Sequence, residues 1–77
     1  MARPPIHEIR HGLILAKIYR KKSKGVLRYS VTLVRLFRNG DVWKESSRIV
    51  SEDLLAAVWV LDKADSWISR QGEDAEV

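Results

Sequence analysis

Cations interleaved with aromatic rings are the residues of this chain whose types and spacing point most directly to chemistry. Tyr29, Arg35 and Phe37 fall on one face of an alternating segment, together with Val31 and Leu33. Lys44 and Arg48 follow on the next segment, on the same face. Such a surface suits a single nucleic-acid strand, because cations track the phosphates while bases stack on rings, at about 1–3 kcal/mol per base and with little regard to sequence. Val31 and Leu33 argue the other way, for a buried face from which Arg35 and Lys44 splay into solvent. A second basic group comprises Arg20, Lys21, Lys22 and Lys24, with Arg28 beyond it. A polybasic turn of this kind grips a phosphate backbone or serves as a solvated loop. Lys17 and Tyr19 extend the basic and aromatic pattern onto the preceding segment, behind Leu13 and Leu15.

Catalytic chemistry has little to work with. His7 and His11 are the only histidines, and no carboxylate-rich set accompanies them. With no cysteine in the chain, a metal site would need Asp or Glu ligands from elsewhere. Ser46 and Ser47 lack an evident base, and no phosphate-cradling glycine loop occurs. Glu52, Asp53, Asp62 and Asp65 are spread along a helical segment as capping and solvent-facing charge. The expectation is a protein that is not an enzyme and needs neither metal nor cofactor.

Charge divides the chain. Met1 to Arg48 holds 12 Lys/Arg against 3 Asp/Glu, a surplus of +9; Ile49 to Val77 holds 2 against 7, a deficit of −5. The basic part has sheet character and the acidic part helical character, so positive charge is concentrated on a sheet, as a polyanion-binding protein requires. The 77 residues suffice for one domain. The longest apolar run, Leu54 to Leu61, is far short of the roughly 20 residues needed to span a bilayer. No apolar leader is visible, so a cytoplasmic protein is expected, associated with the nucleoid, or nuclear in a eukaryote.

The elements that must position these groups follow from periodicity. Residues 1–7, with Pro4 and Pro5, form a flexible arm, and residues 8–70 the folded domain. Glu8 to Arg20 is a strand that Gly12 either interrupts or does not. Lys21 to Gly25 is a hairpin connection, and Val26 to Arg38 the clearest strand. Asn39-Gly40 suits a type I′ turn. That turn sets Arg38 against Asp41, Phe37 against Val42, Leu36 against Trp43 and Arg35 against Lys44, and so juxtaposes like charges. Trp43 then shares a face with Val34 and Ile49, in a core or an interface. Ser51 is the expected N-cap of a helix that runs to about Arg70 and stops at Gly72, before an acidic tail over 71–77. The fold class is α+β: a curved antiparallel sheet of three or four strands, then one long C-terminal helix.

Leu54, Leu55, Ala57, Val58, Leu61, Ala64 and Ile68 form a stripe for packing on the sheet. Ala56, Trp59, Val60 and Trp67 widen the apolar surface beyond what one sheet covers. A second copy of the chain is the natural partner, with Val58, Trp59, Val60 and Trp67 at the interface.

The strand sequence V-T-L-V-R-L-F-R-N-G-D-V-W-K-E-S-S-R-I, followed by S-E-D-L and a long helix, resembles the C-terminal domain of the transcriptional coactivator positive cofactor four. The resemblance covers roughly Glu8 to Ile68. It implies a homodimer that binds single-stranded DNA and unpaired regions of duplex. It matches Arg35 to a second-strand arginine, Phe37 to an aromatic position, and Lys44 and Arg48 to a basic third strand. Arg38 stands where the family has a base-stacking aromatic. Two functions are therefore expected: a homodimeric module for single-stranded DNA or RNA in transcription, replication or repair, or a protein-interaction module using the helix without nucleic-acid binding.

Overall fold

The computed structural model describes residues 4–75, with side chains as far as Gln71. Four antiparallel strands lie in sequence order: β1 (His7–His11), β2 (Ile14–Ser23), β3 (Val26–Asn39) and β4 (Val42–Ser46). A single 3-10 turn over Ser51–Asp53 leads into helix α1 (Leu54–Ala75). The fold is α+β, with an open sheet followed by one helix.

Glu8 to Arg20 divides at Gly12-Leu13, a two-residue turn that pairs His11 with Ile14. His7 already belongs to β1, and the Ile6 N–H donates to the Ile18 carbonyl, so sheet pairing begins ahead of the domain boundary expected at residue 8. Residues 1–3 of the expected arm lie outside the described residues, as does the end of the acidic tail. The β2–β3 connection is only Lys24-Gly25, both at positive φ, which closes a ten-pair ladder from Ile14↔Arg35 to Ser23↔Val26.

The second hairpin differs from expectation. Asn39 is not in the left-handed region; Gly40 is, at φ 65°, and Asp41 is not. A type I′ turn needs positive φ at both central residues, whereas type II′ needs only a leading glycine. Gly40-Asp41 is therefore the loop, and Asn39 stays in β3 paired with Val42. Moving the turn by one residue shifts every partner on β4 by two. Arg38 now opposes Trp43, Phe37 opposes Lys44, Leu36 opposes Glu45 and Arg35 opposes Ser46. Because the shift is even, each side chain keeps its face. The expected Arg35–Lys44 opposition disappears.

The helix packs chiefly on β1 and β2, touches β3 less, and makes at most marginal contact with β4. Ile14 and Ala16 of β2 meet Ala57 and Val60 of the helix in the core, and Ile18 of β2 and Ala64 of the helix are buried as well. Small alanines allow the helix backbone close to the sheet, and this sets its rotation. The packing stripe is thus Ala57, Val60 and Ala64, flanked by Ala56 and Ile68, rather than the stripe containing Leu54, Leu55, Val58 and Leu61, all four of which are exposed. Two helix-end expectations are also corrected. The N-cap position is Val50, with no side-chain cap, since Ser51 already lies in the 3-10 turn. The helix continues through Gly72 to Ala75; one interior glycine costs a helix only about 1 kcal/mol.

Candidate nucleic-acid interface

Antiparallel partners share a face, so the ladders assign each side chain. The helix side carries His7, Ile9 and His11 of β1, Ile14, Ala16 and Ile18 of β2, Tyr29 to Phe37 of β3 at alternate positions, and Val42, Lys44 and Ser46 of β4. The opposite side carries Lys17, Tyr19, Lys21, Arg28, Arg38 and Trp43. The expected site residues therefore do not form one surface. They separate into three groups.

The first group is a groove on the helix side of β3 and β4, where the helix does not reach. Arg35, Phe37, Ser46, Arg48 and Val50 line a space of about 350 Å³, and Lys44 stands directly across the ladder from Phe37. Four of the expected residues, Arg35, Phe37, Lys44 and Arg48, meet here. The backbone explains why Arg48 joins them. Its N–H donates to Ser46 Oγ at 3.1 Å, a local turn that folds the chain back as it leaves β4. Arg35 is half-buried, and its Nε donates to Asp53 Oδ2 at 2.7 Å. That pair fixes the guanidinium at the rim and ties the 3-10 turn to β3. It also offsets part of the arginine's charge, leaving Lys44 and Arg48, both exposed, as the cations outside any ion pair found among the described residues.

The second group lies on the helix-free face. Lys17 is paired with Glu45, reaching across β3 to do so, and this hydrogen bond, with the attraction of the carboxylate, raises the lysine above its ordinary value of 10.5 despite some burial. Its role is cross-strand bracing more than an open phosphate contact. Tyr19 is half-buried and Lys21 and Arg28 are exposed. Sequence reasoning missed the pair beside them: Arg38 opposes Trp43, whose side is 56% exposed. The type I′ register placed Trp43 against Leu36 and so concealed a cation next to an indole. Arg38 is held by its Nε donating to the Gly40 carbonyl at 2.8 Å and by Asp41 Oδ1 at 3.6 Å.

The third group, Arg20, Lys21, Lys22 and Lys24, sits on the outer part of the β2–β3 hairpin, with Arg28 on its return strand. All are exposed.

The residues expected at a dimer interface also divide. Val60 is fully buried under the chain's own sheet, which removes it from any interface. Trp67 stacks on His7, with ring centroids 4.6 Å apart and planes within 5°. Trp59 lies against His11 at 5.1 Å and under the Lys63 ammonium at 5.5 Å, yet keeps an exposed flank. Both histidines thus join β1 to the helix by ring contact. Val58 remains exposed, and Leu54, Leu55 and Leu61 join it, Leu55 at 84%.

Among the described residues no group of three or more His, Cys, Asp or Glu is placed to hold a metal ion. Among the same residues no helix is long and apolar enough to cross a membrane. No protein-family model, curated protein or solved structure matches the chain.

Proposed function

We propose that the chain is a homodimeric module that binds single-stranded nucleic acid, most simply DNA, in transcription, replication or repair. The observation that carries this reading is the groove beyond the reach of the helix, where Phe37 is flanked by Arg35, Lys44 and Arg48. A ring set among cations supplies a stacking platform with phosphate contacts at its edge, the combination used for sequence-tolerant strand binding. The surrounding charge favours the same ligand: there is no carboxylate between Glu8 and Asp41, a span that holds nine Lys and Arg residues. The proposal agrees with what the resemblance to positive cofactor four implies.

The homodimer rests on the helix. Its small residues face its own sheet, while Leu54, Leu55, Val58 and Leu61 face away from it. A cluster of large exposed apolar side chains on so short a chain is characteristic of an interface. The same cluster supports a second reading, recognition of a different protein through the helix with no role for nucleic acid.

Titration of a labelled single strand of about 20 nucleotides against its duplex, across a range of salt, separates the two. The strand-binding reading expects preferential binding of the single strand. Changing Lys44 and Arg48 to alanine should then flatten the dependence of log K on log salt by about 1.4, two contacts at about 0.7 each for single strands. An absence of binding at low salt would refute it and leave the helix as the functional surface.

A further inference from the structure

The β2–β3 hairpin extends further than the sheet that carries it. β1 pairs with β2 only as far as His7↔Ile18, and β4 pairs with β3 only over Arg35 to Asn39. Beyond Ile18 and Val31, the two strands continue through five more pairs to Ser23↔Val26, and among the described residues no third strand pairs with them. Every residue from Arg20 to Arg28 is exposed. The result is a two-stranded ribbon, about 16 Å long at the usual rise per residue, on a molecule whose longest dimension is 46 Å.

Several features of this ribbon are unfavourable for a piece of scaffold. Lys21 directly opposes Arg28, a like-charge pair that weakens a ladder. An isolated two-stranded ribbon is itself marginal in water. At the turn, Lys24 adopts φ 52°, a conformation better suited to asparagine or glycine. Val26 and Leu27, next to the turn, are exposed apolar residues among the cations. A polyanion that surrounds the ribbon relieves the charge repulsion on both of its faces, because Arg20 and Lys22 point to one side and Lys21 and Arg28 to the other.

Resting on the strand-binding reading above, we infer that this ribbon docks in the major groove of B-form duplex DNA flanking the single strand. The major groove, about 12 Å wide, admits a two-stranded ribbon, and its phosphate walls lie on both sides of whatever enters. The cations on the two ribbon faces meet the two walls, and Val26 and Leu27, one on each face beside the turn, enter the groove with the tip, where thymine methyl groups offer apolar contact. A single strand presents one backbone and cannot engage both faces in this way. An A-form RNA duplex has a major groove too deep and narrow for side chains to read, so the ligand is DNA. The natural target is a junction between duplex and single strand. The groove lined by Arg35 and Phe37 and the tip at Lys24 lie at opposite ends of β3, about 30 Å apart at the rise of a strand.

The test uses the full chain and a shortened form in which Lys22, Ser23, Val26 and Leu27 are deleted and Lys24→Asn leaves an Asn-Gly turn between Lys21 and Arg28. The probes are a 20-nucleotide single-stranded DNA, the same strand as a tail on a duplex of about 20 base pairs, the tailed duplex in RNA, and anionic phosphatidylserine vesicles. The full chain is expected to bind the tailed DNA about tenfold more tightly than the tail alone, and the shortened form to lose that advantage while keeping its affinity for the tail. Loss of Lys22 and Lys24 should also flatten the salt dependence on tailed DNA by about 1.8, two contacts at about 0.9 each for duplex. An unchanged melting temperature shows that the shortened form is folded. Equal weakening on tail and tailed duplex would overturn the inference and leave strand binding intact. Equal affinity for tailed RNA, or ribbon-dependent vesicle binding without a duplex advantage, would also overturn it. Failure of the full chain to bind any nucleic acid would overturn both readings.

Discussion

On the helix side of one sheet, β2 presents Ile14, Ala16 and Ile18, all without exposure, whereas β4 presents Val42, 58% exposed, and Lys44. The strands are neighbours of β3 on its two sides and share the same hydrogen-bonded backbone. Their difference comes from the helix, which covers the β1–β2 half and leaves the β3–β4 half open. The covered half supplies stability through apolar burial and ring contacts. The open half holds the cations and aromatics whose spacing implies a ligand. A small domain with one helix cannot cover both halves, and on the helix side it is the uncovered half that gathers Arg35, Lys44 and Arg48 around Phe37.

The largest expected effect separates the halves directly. Ile18→Ala should destabilise the fold by about 2–5 kcal/mol, the usual cost of deleting a buried branched side chain. Val42→Ala should change it by about 0.5 kcal/mol or less, as an exposed position. Chemical denaturation of the two variants checks this, and similar costs would erase the distinction between the halves. An intermediate effect concerns assembly. Leu55→Glu with Val58→Glu should convert a dimer to a folded monomer in sedimentation equilibrium, because both side chains point away from the chain's own core. A monomer in the unsubstituted protein would remove the homodimer from the proposal.

The smallest effect sharpens the comparison on the opposite face. Lys17 gains a partner on folding, so its folded value lies above its ordinary 10.5. Its contribution is fully present below 10.5 and is lost as pH rises through the folded value. Glu45 is 43% exposed, which limits the pair to about 1 kcal/mol or less. Lys17→Met should therefore lower the neutral-pH melting temperature slightly and abolish the equally slight alkaline loss of stability seen in the unsubstituted chain.

Much of this arrangement was legible in the residues. Alternation in β3 gave its faces, Gly25 and Gly40 located the hairpins, and the cations and rings that gather in the groove were all identifiable by type. The exact turn was not. Asn39-Gly40 and Gly40-Asp41 are both chemically suitable loops, and only the backbone angle at Asn39 separates them. The two-residue shift that follows kept the faces and changed the neighbours, which is how Arg38 beside Trp43 escaped notice. Helix rotation was misread for a different reason. Hydrophobicity favours Leu54, Leu55, Val58 and Leu61 as the buried stripe, but close packing on β2 favours alanine, and packing geometry prevailed at Ala57 and Ala64. Arg35 shows the limit of reading charge without structure, since its partner Asp53 lies 18 positions away.

The central claim is that a single strand binds the open β3–β4 half on its helix side. Side-chain NMR spectra during titration with a single-stranded DNA test it most directly, because side chains report on one face where amides report on both. Shifts concentrated at the Phe37 ring and the Val42 and Val50 methyls, with the Ile14 and Ile18 methyls unmoved, are the expected result. Shifts confined to the Trp43 indole and the Val34 methyls on the other face, or no shifts at all, would contradict it.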